Sequence, residues 1–224
     1  DMGWMNDTLA YFQKEHEDRQ KHQDELTFAS TYRDQECYFL PLSHDEVVHE
    51  KRSLLNRMPG DEQQQFANLR ALYGYQWLYA GKQLLFMGGE FGQRAEWDHD
   101  GELDWGCLNV GDLPGGLQKW VTDLNRFYRE EPAFWAGDFD ESSFFWVDCA
   151  DHAACVLSFV RQTPDCSRQA LVLLNLTPDV HEAYRVGLPQ AGSWREVLNS
   201  DSGHYGGSNI GNRGGVHSQD VPWH

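Results

Sequence analysis

Two short apolar runs with one long amphipathic segment between them constrain this chain more than any other feature. Residues 39–42 (FLPL) and 84–87 (LLFM) are too short for helices and long enough for strands. Between them, over residues 62–80, Phe66, Leu69, Leu72, Tyr73, Trp77 and Leu78 fall close to a 3.6-residue period, so that stretch reads as a helix. Met58, Pro59, Gly60 and Asp61 punctuate its start, and Gly81 stands where a left-handed C-terminal cap belongs. Strand, helix, tight turn, strand is a βαβ unit. Its strands must run parallel and be joined by a right-handed crossover. The unbroken apolar character of 84–87 predicts a strand buried on both faces.

The rest of the chain is organised around that unit. Residues 1–31 read as an opening that carries Trp4, then a helix capped by Asn6 or Asp7 ahead of Leu9, Tyr11 and Phe12, with the polar run 13–23 as a solvated face. A loop over 92–116 holds Glu96, Trp97, Asp98, His99, Asp100, Asp104 and Trp105, and loops of that length inside a compact domain tend to be functional. A second amphipathic helix covers 117–130 and stops at Pro132. Beyond it the period changes to short β-type runs at 144–147, 155–161, 170–176, 183–188 and 194–199, with no helix among them. Such spacing predicts an antiparallel β-sandwich. The tail at 202–215, rich in Gly, Asn and Ser, reads as irregular. The expectation is an α/β part over 1–131 and an all-β domain over 132–224.

The chemistry concentrates where the first strand ends. The run YFLPLSHDEVVH (38–49) stops being apolar at His44, Asp45 and Glu46, and in parallel α/β proteins the C-terminal strand ends carry the reacting groups. A His–Asp pair there supplies a hydrogen-bond donor beside a fixed negative charge, which suits a hydroxyl-rich substrate passing through a cationic transition state. The competing reading is an Asp that caps the next helix and a His that merely packs. Glu90 follows the second strand in the same way. Strand ends at the mouth of a barrel could bring two such carboxylates, Asp45 and Glu90, within the roughly 5–10 Å that glycosidic chemistry needs; the competing role for Glu90 is an ion pair or backbone bond that holds the loop. His44 and His49 superficially resemble the HExxH zinc helix, but they are five residues apart and would diverge on a helix, so no metal is assigned. Gly88-Gly89 lacks the Lys or third Gly of a phosphate loop, and no other nucleotide or nucleophile motif occurs; no cofactor is expected.

Bulk properties narrow the partners. A net charge of −17 opposes binding to nucleic acid or to an anionic membrane and fits a neutral substrate. Nine Trp, nine Tyr and twelve Phe exceed the obvious needs of a core this size and fit stacking on sugars. Five scattered cysteines without a CxxC read as reduced thiols in a cytoplasmic protein. No apolar run approaches the roughly 18 residues of a membrane span. The chain begins at Asp1 within patterned sequence, as a piece of something longer does.

These residues carry a resemblance. DMGWMNDTL (1–9), LPLSHDEVVH (40–49), RMPGDEQQQFANLRALYGYQWLYAGKQLLFMGGEFGQ (57–93) and EWDHDGELDW (96–105) resemble the later part of the α-1,4-glucan branching enzymes, in the α-amylase superfamily. So do DLNRFYREEPAFW (123–135), WREVLNSDSGHYGGSN (194–209) and GGVHS (214–218). The resemblance implies the C-terminal portion of a (β/α)8 TIM barrel, with strand six at 1–4, strand seven at 38–43 and strand eight at 84–87, followed by the all-β domain. It implies retaining transfer of an α-1,4-glucan segment to a 6-hydroxyl, with His44 and Asp45 stabilising the transition state and Trp4, Glu46 and Glu90 lining the substrate site. The family's nucleophilic Asp and acid Glu would precede residue 1, so this piece alone is expected to be inactive. The partner is an α-glucan, and the intact protein is expected to be a monomer. Two departures stand out: GGEF where the family tends to have GNEF, and HEK (49–51) where HGK is commoner. The rival readings are a hydrolytic or trehalose-forming relative on the same scaffold, or a non-catalytic glucan-binding module.

Overall fold

A computed structural model describes residues 1–35 and 37–223; His224, the last residue of the expected all-β domain, lies outside them. Helix α1 covers Met2–Phe12, and two single-turn helices follow, α2 at His16–Arg19 and α3 at Asp24–Thr27. The first residues are therefore helical, not the strand that the resemblance implies. The cause is local: the Asp1 carboxylate accepts from Trp4 N at 2.9 Å and caps the helix. Trp4, Met5, Thr8, Leu9, Tyr11 and Phe12 then form its buried face. The cap is thus Asp1, not Asn6 or Asp7. Within the polar run, Arg19 is buried and donates to the carbonyls of Phe12 and Leu176 at 3.1 and 2.9 Å.

The βαβ unit is present. Strand β1, Phe39–Leu42, runs parallel to β2, Lys82–Leu85, with Phe39 opposite Lys82 and Leu42 opposite Leu85. Between them lie α4, Leu54–Arg57, and α5, Glu62–Leu78. Asp61 and Gln64 form a reciprocal capping box at the start of α5. Its end departs from expectation: Tyr79 is extended, and Gly81, at φ +131°, turns the chain where a Cβ would meet Leu40 Cγ at 3.0 Å. From Leu69 on, α5 is buried almost all round, Arg70 and Gln76 included. Gln76 Nε2 donates to Leu40 O and Leu84 O at 2.8 and 3.0 Å and so bridges the two strands from beneath.

Strand β2 is not buried on both faces. Among the described residues its sheet has two strands, and Leu84 on β2, Phe39 on β1 and Met87 just past β2 remain exposed. Helix α6 covers Leu113–Glu130, starting four residues before the expected 117 because Pro114 suits a first helical turn. Gly116 on this helix lies so close to the Tyr205 carbonyl that a Cβ would sit 2.5 Å from its oxygen.

Past Pro132 the strands are β3, Phe144–Asp151, β4, Val156–Gln162, and β5, Gln169–Asn175, in one antiparallel sheet of that order. The expected antiparallel strands are present at these three, but they form a single sheet and not the two packed layers of a sandwich. Residues 183–188 form no strand; Tyr184 instead anchors the segment by donating to Asp151 Oδ2 at 2.8 Å. Strand β6 is only Ser193–Arg195, and its partner β7, Gly215–His217, overlaps the tail read as irregular only at Gly215. Central β4 is buried at every position, and its face meets aromatic rings and helix ends rather than a second sheet. Phe144 packs 5.1 Å from both Tyr79 and Phe159, so the core is continuous across residue 132.

Arg161 on β4 makes that junction. Fully buried, it donates through Nη1 to Tyr79 O and Leu78 O at 2.7 and 3.2 Å, and through Nη2 to Phe134 O at 3.3 Å and Asp138 Oδ1 at 2.6 Å. The other Asp138 oxygen accepts from Lys82 Nζ at 2.5 Å and from the Tyr128 hydroxyl at 3.1 Å. Removing the guanidinium strands three carbonyls and one oxygen of the buried Asp138, whose other oxygen keeps Lys82 and Tyr128. Arg161→Leu is expected to cost about 3–5 kcal/mol in urea unfolding; a loss below about 1 kcal/mol contradicts this account of the junction. In the β4–β5 turn, the Thr163 hydroxyl and the backbone and hydroxyl of Ser167 hold the Asp165 carboxyl at about 2. Because its folded value lies below the unfolded one, the turn's stabilisation is present above the ordinary Asp range and is lost as pH falls through about 2. The Ser167 amide shift should titrate near that pH, and a midpoint near 4 contradicts the assignment.

Candidate active site

Three of the predicted site residues fall in one place. Just beyond β1, His44–Glu46 forms a 3₁₀ turn, so the extended strand stops and its charged residues emerge at the strand end. His44 Nε2 lies 3.3 Å from Asp45 Oδ1, and both side chains are about half exposed or more, at 51% and 65%. The imidazole completes a triangle of rings, with Phe86 at 5.8 Å, Trp97 edge-on at 5.9 Å, and those two 5.3 Å from each other. The His packs on one side of this ring pair and is open on the other, and an Asp left open to solvent keeps its lone pairs available to hydroxyl groups.

Glu46 is not open in the same way. It is buried, with Arg57 Nη1 at 3.7 Å and Lys51 Nζ at 3.8 Å. Burial draws the Arg57 guanidinium down and the Glu46 charge opposes it. This carboxylate is therefore committed to the loop rather than presented outward. Lys51 Nζ also donates to Asp45 O at 2.7 Å, Arg57 Nε to Lys51 O at 2.8 Å, and Arg57 Nη2 to Glu46 O.

Glu90 occupies the 3₁₀ turn Gly89–Phe91, which follows β2 as His44–Glu46 follows β1. It is half-buried, and among the described residues its side chain makes neither the ion pair nor the backbone bond of the competing reading. Its charge is felt by Tyr73, whose hydroxyl is pushed up by burial first and by Glu90 second. That hydroxyl donates to Gly89 O at 2.8 Å. Where the family tends to have Asn, a Cβ at Gly89 would meet Leu85 Cδ1 at 2.8 Å, so a larger residue requires that methyl group to turn aside. Leu42, Val47, Tyr73, Phe86, Gly88 and Trp97 surround a cavity of about 20 Å³ between the two strand ends, room for one water.

Trp4 does not join this group. It is 1% exposed and stacks on Tyr75 at 5.9 Å, so in this structure it is a core residue. The zinc-like reading also falls: His44 sits in a 3₁₀ turn and His49 at φ 56°, not on one helix. Asp98, His99 and Asp100 do come within 4.8 Å of one another, fully exposed on the loop.

The order around the site comes from residues whose roles sequence reasoning missed. Phe86, Lys51 and Arg57 had no signal. Glu96 and Trp97 had one, the length of their loop. The HEK departure is informative: Glu50 has φ 64°, in the left-handed region where a side chain is strained and glycine is not.

Comparison with known proteins decides the family. The chain is 50% identical over 223 residues to the 1,4-α-glucan branching enzyme GlgB of Cereibacter sphaeroides, covering 100% of itself and 30% of that protein. It is 53% identical over 222 residues to the one from Thiobacillus denitrificans, covering 99% of itself and 30% of the relative. The match with the Aquifex aeolicus protein is 51%, over 100% of the chain and 35% of the relative. The chain belongs to the branching-enzyme family. It spans about a third of the length of these curated relatives. Residues 146–224 match the family of the α-amylase C-terminal all-β domain, which includes β4 to β7 and most of β3. The crystal structure of an α-amylase from H.orenii covers 78% of the chain and 37% of its own, at 16% identity and a TM-score of 0.44, too loose a likeness to argue from. Among the described residues no helix is long and apolar enough to cross a membrane, and all five cysteines are free.

Glu50→Gly is expected to raise stability by up to about 1 kcal/mol, since strain at a left-handed residue outweighs the added freedom of the unfolded chain. Urea midpoints at constant slope check it, and a fall in stability contradicts the strain assignment.

Proposed function

We propose that this chain serves in an α-glucan branching enzyme, and that the protein containing it cleaves an α-1,4 bond and transfers the released segment to a glucan 6-hydroxyl. The observation that carries the reading is the His44–Asp45 pair at the end of β1, open to solvent with the imidazole against two rings, within a likeness that runs the length of the chain. In this reading residues 1–131 belong to a (β/α)8 barrel and 132–224 to the all-β domain that follows it. The protein works in the cytoplasm as a monomer, and the free thiols fit a reducing compartment.

The chemistry follows from charge and geometry. Retaining transfer passes twice through an oxocarbenium-like ring, once as the glucan bond breaks and once as the acceptor oxygen attacks. Asp45 accepts hydrogen bonds from ring hydroxyls and sets a negative charge beside the developing cation. His44 donates to a neighbouring hydroxyl, its ring packed on Phe86 and Trp97. Both interactions strengthen as the ring flattens, so they favour the transition state over the bound substrate. The nucleophile and the proton donor come from the part of the longer protein that lies outside this chain. Glu90, half-buried beside Tyr73, contributes a hydrogen-bond acceptor to the same cleft. Glu46 and Trp4 act at one remove: Glu46 anchors the loop and Trp4 braces the core behind it.

The test uses a chimaera in which this chain replaces the matched 30% of the Thiobacillus denitrificans protein. It should form new α-1,6 links on amylose, and Asp45→Asn should lower turnover by roughly 10³-fold or more without unfolding it. Hydrolysis or trehalose formation without new α-1,6 links identifies the rival chemistry. Near-normal branching by the Asn variant removes Asp45 from the site. The chain alone should leave the iodine stain of amylose unchanged.

A further inference from the structure

The segment after β2 does more than place Trp97 beside His44. Glu96, one residue earlier, sends its carboxylate into the backbone of residues 49–52. Oε2 accepts from Glu50 N at 3.1 Å and Oε1 from Arg52 N at 2.6 Å. His49, Glu50 and Arg52 have φ of 56°, 64° and 70°, three left-handed side-chain-bearing residues within four positions. Such a turn is strained at each of them and persists only when its surroundings over-determine it.

The surroundings are on hand. Trp97 N donates to Val47 O at 2.8 Å, and Asn56 Nδ2 to Arg94 O at 2.7 Å, so residues 94–97 grip the loop at both ends with Glu96 between. From the same turn, Lys51 Nζ reaches Asp45 O, and Arg57 holds the carbonyls of Lys51 and Glu46. A continuous path of hydrogen bonds therefore leads from the Glu96 carboxylate to the backbone of the 3₁₀ turn that presents His44 and Asp45.

We propose that Glu96 is a positioning residue: its carboxylate closes the left-handed 49–52 turn and thereby fixes the His44–Asp45 strand end in its productive orientation. The catalytic meaning of this inference rests on the branching reading above; its structural content does not. Glu96 reaches the site through Lys51 and Arg57 and need not touch substrate. A glycine at position 50 lowers the strain that the carboxylate has to restrain.

Amide hydrogen exchange on this chain tests the structural half. Glu96→Gln removes the charge and leaves one acceptor oxygen for two donors. Exchange at Glu50 and Arg52 is expected to quicken roughly ten- to hundredfold while α5 amides are unaffected. Unchanged exchange at both overturns the proposal. If protection in α5 is lost as well, Glu96→Asp carries the test: its shorter reach should quicken the two amides by a smaller factor, and an unchanged rate overturns the proposal. In the chimaera, Glu96→Gln should lower kcat of transfer roughly tenfold or more with KM within about twofold, and adding Glu50→Gly should restore part of it. A loss confined to KM, or no recovery with the glycine, overturns the positioning role. Failure of the unaltered chimaera to make α-1,6 links defeats the functional reading instead and leaves the exchange result standing.

Discussion

A single buried cation sets the relation between the two halves of this molecule. Arg161 leaves a fully buried strand of the β sheet and reaches the last carbonyls of α5, a carbonyl in the turn after α6, and Asp138. A buried guanidinium is tolerable only when its donors find acceptors. Four acceptors from three parts of the chain meet that need for Nη1 and Nη2, while the buried Nε finds no partner among the described residues. Lys82 and Tyr128 complete the pairing of Asp138, so the start of β2 and the end of α6 enter the same cluster. The Phe134 ring lies 5.7 Å from the guanidinium, and Tyr79, Phe144, Trp146 and Phe159 form one aromatic cluster across the junction.

From that fixed point the strand ends are built outward. Gln76 ties β1 to β2 from below, so the turns after each strand emerge side by side. The site itself owes little to apolar packing. Its order comes from hydrogen bonds to backbone carbonyls and from two rings that pack on one side of His44. The large aromatic content reads differently once placed: Trp4, Trp77 and Trp120 are buried, and much of the aromatic surplus goes into the core.

What could be read from the sequence follows the range of the forces involved. The βαβ unit, α5, α6 and the first three β strands declare themselves because burial imposes a period on neighbouring residues. SHDE was legible because charge ends an apolar run abruptly. Residues 1–4 misled because an Asp cap acts within four positions and outweighed the strand that the resemblance implied there. Strand β7 was invisible because its pairing with β6 spans twenty residues and uses Gly215, Val216 and His217, which carry no alternation. The buried roles of Arg19, Arg70 and Arg161 were equally hidden, since a polar residue gives no local sign that distant carbonyls await it. The left-handed turn at 49–52 left a trace only as an oddity, a glutamate where glycine is commoner.

The connection between α5 and β2 has a further consequence. Its near end is gripped through the carbonyls of Leu78 and Tyr79, and its far end through the ammonium of Lys82. Both grips meet at the same Arg161–Asp138 pair. The link of residues 79–81 is therefore measured out from both sides, and its length is not free to drift. One residue more or fewer would slide Lys82 along its neighbour and turn every side chain of β2 to the opposite face. Other loops of the protein can lengthen or shorten over evolutionary time; this one is a ruler, and natural variation should spare its span even where it changes the letters.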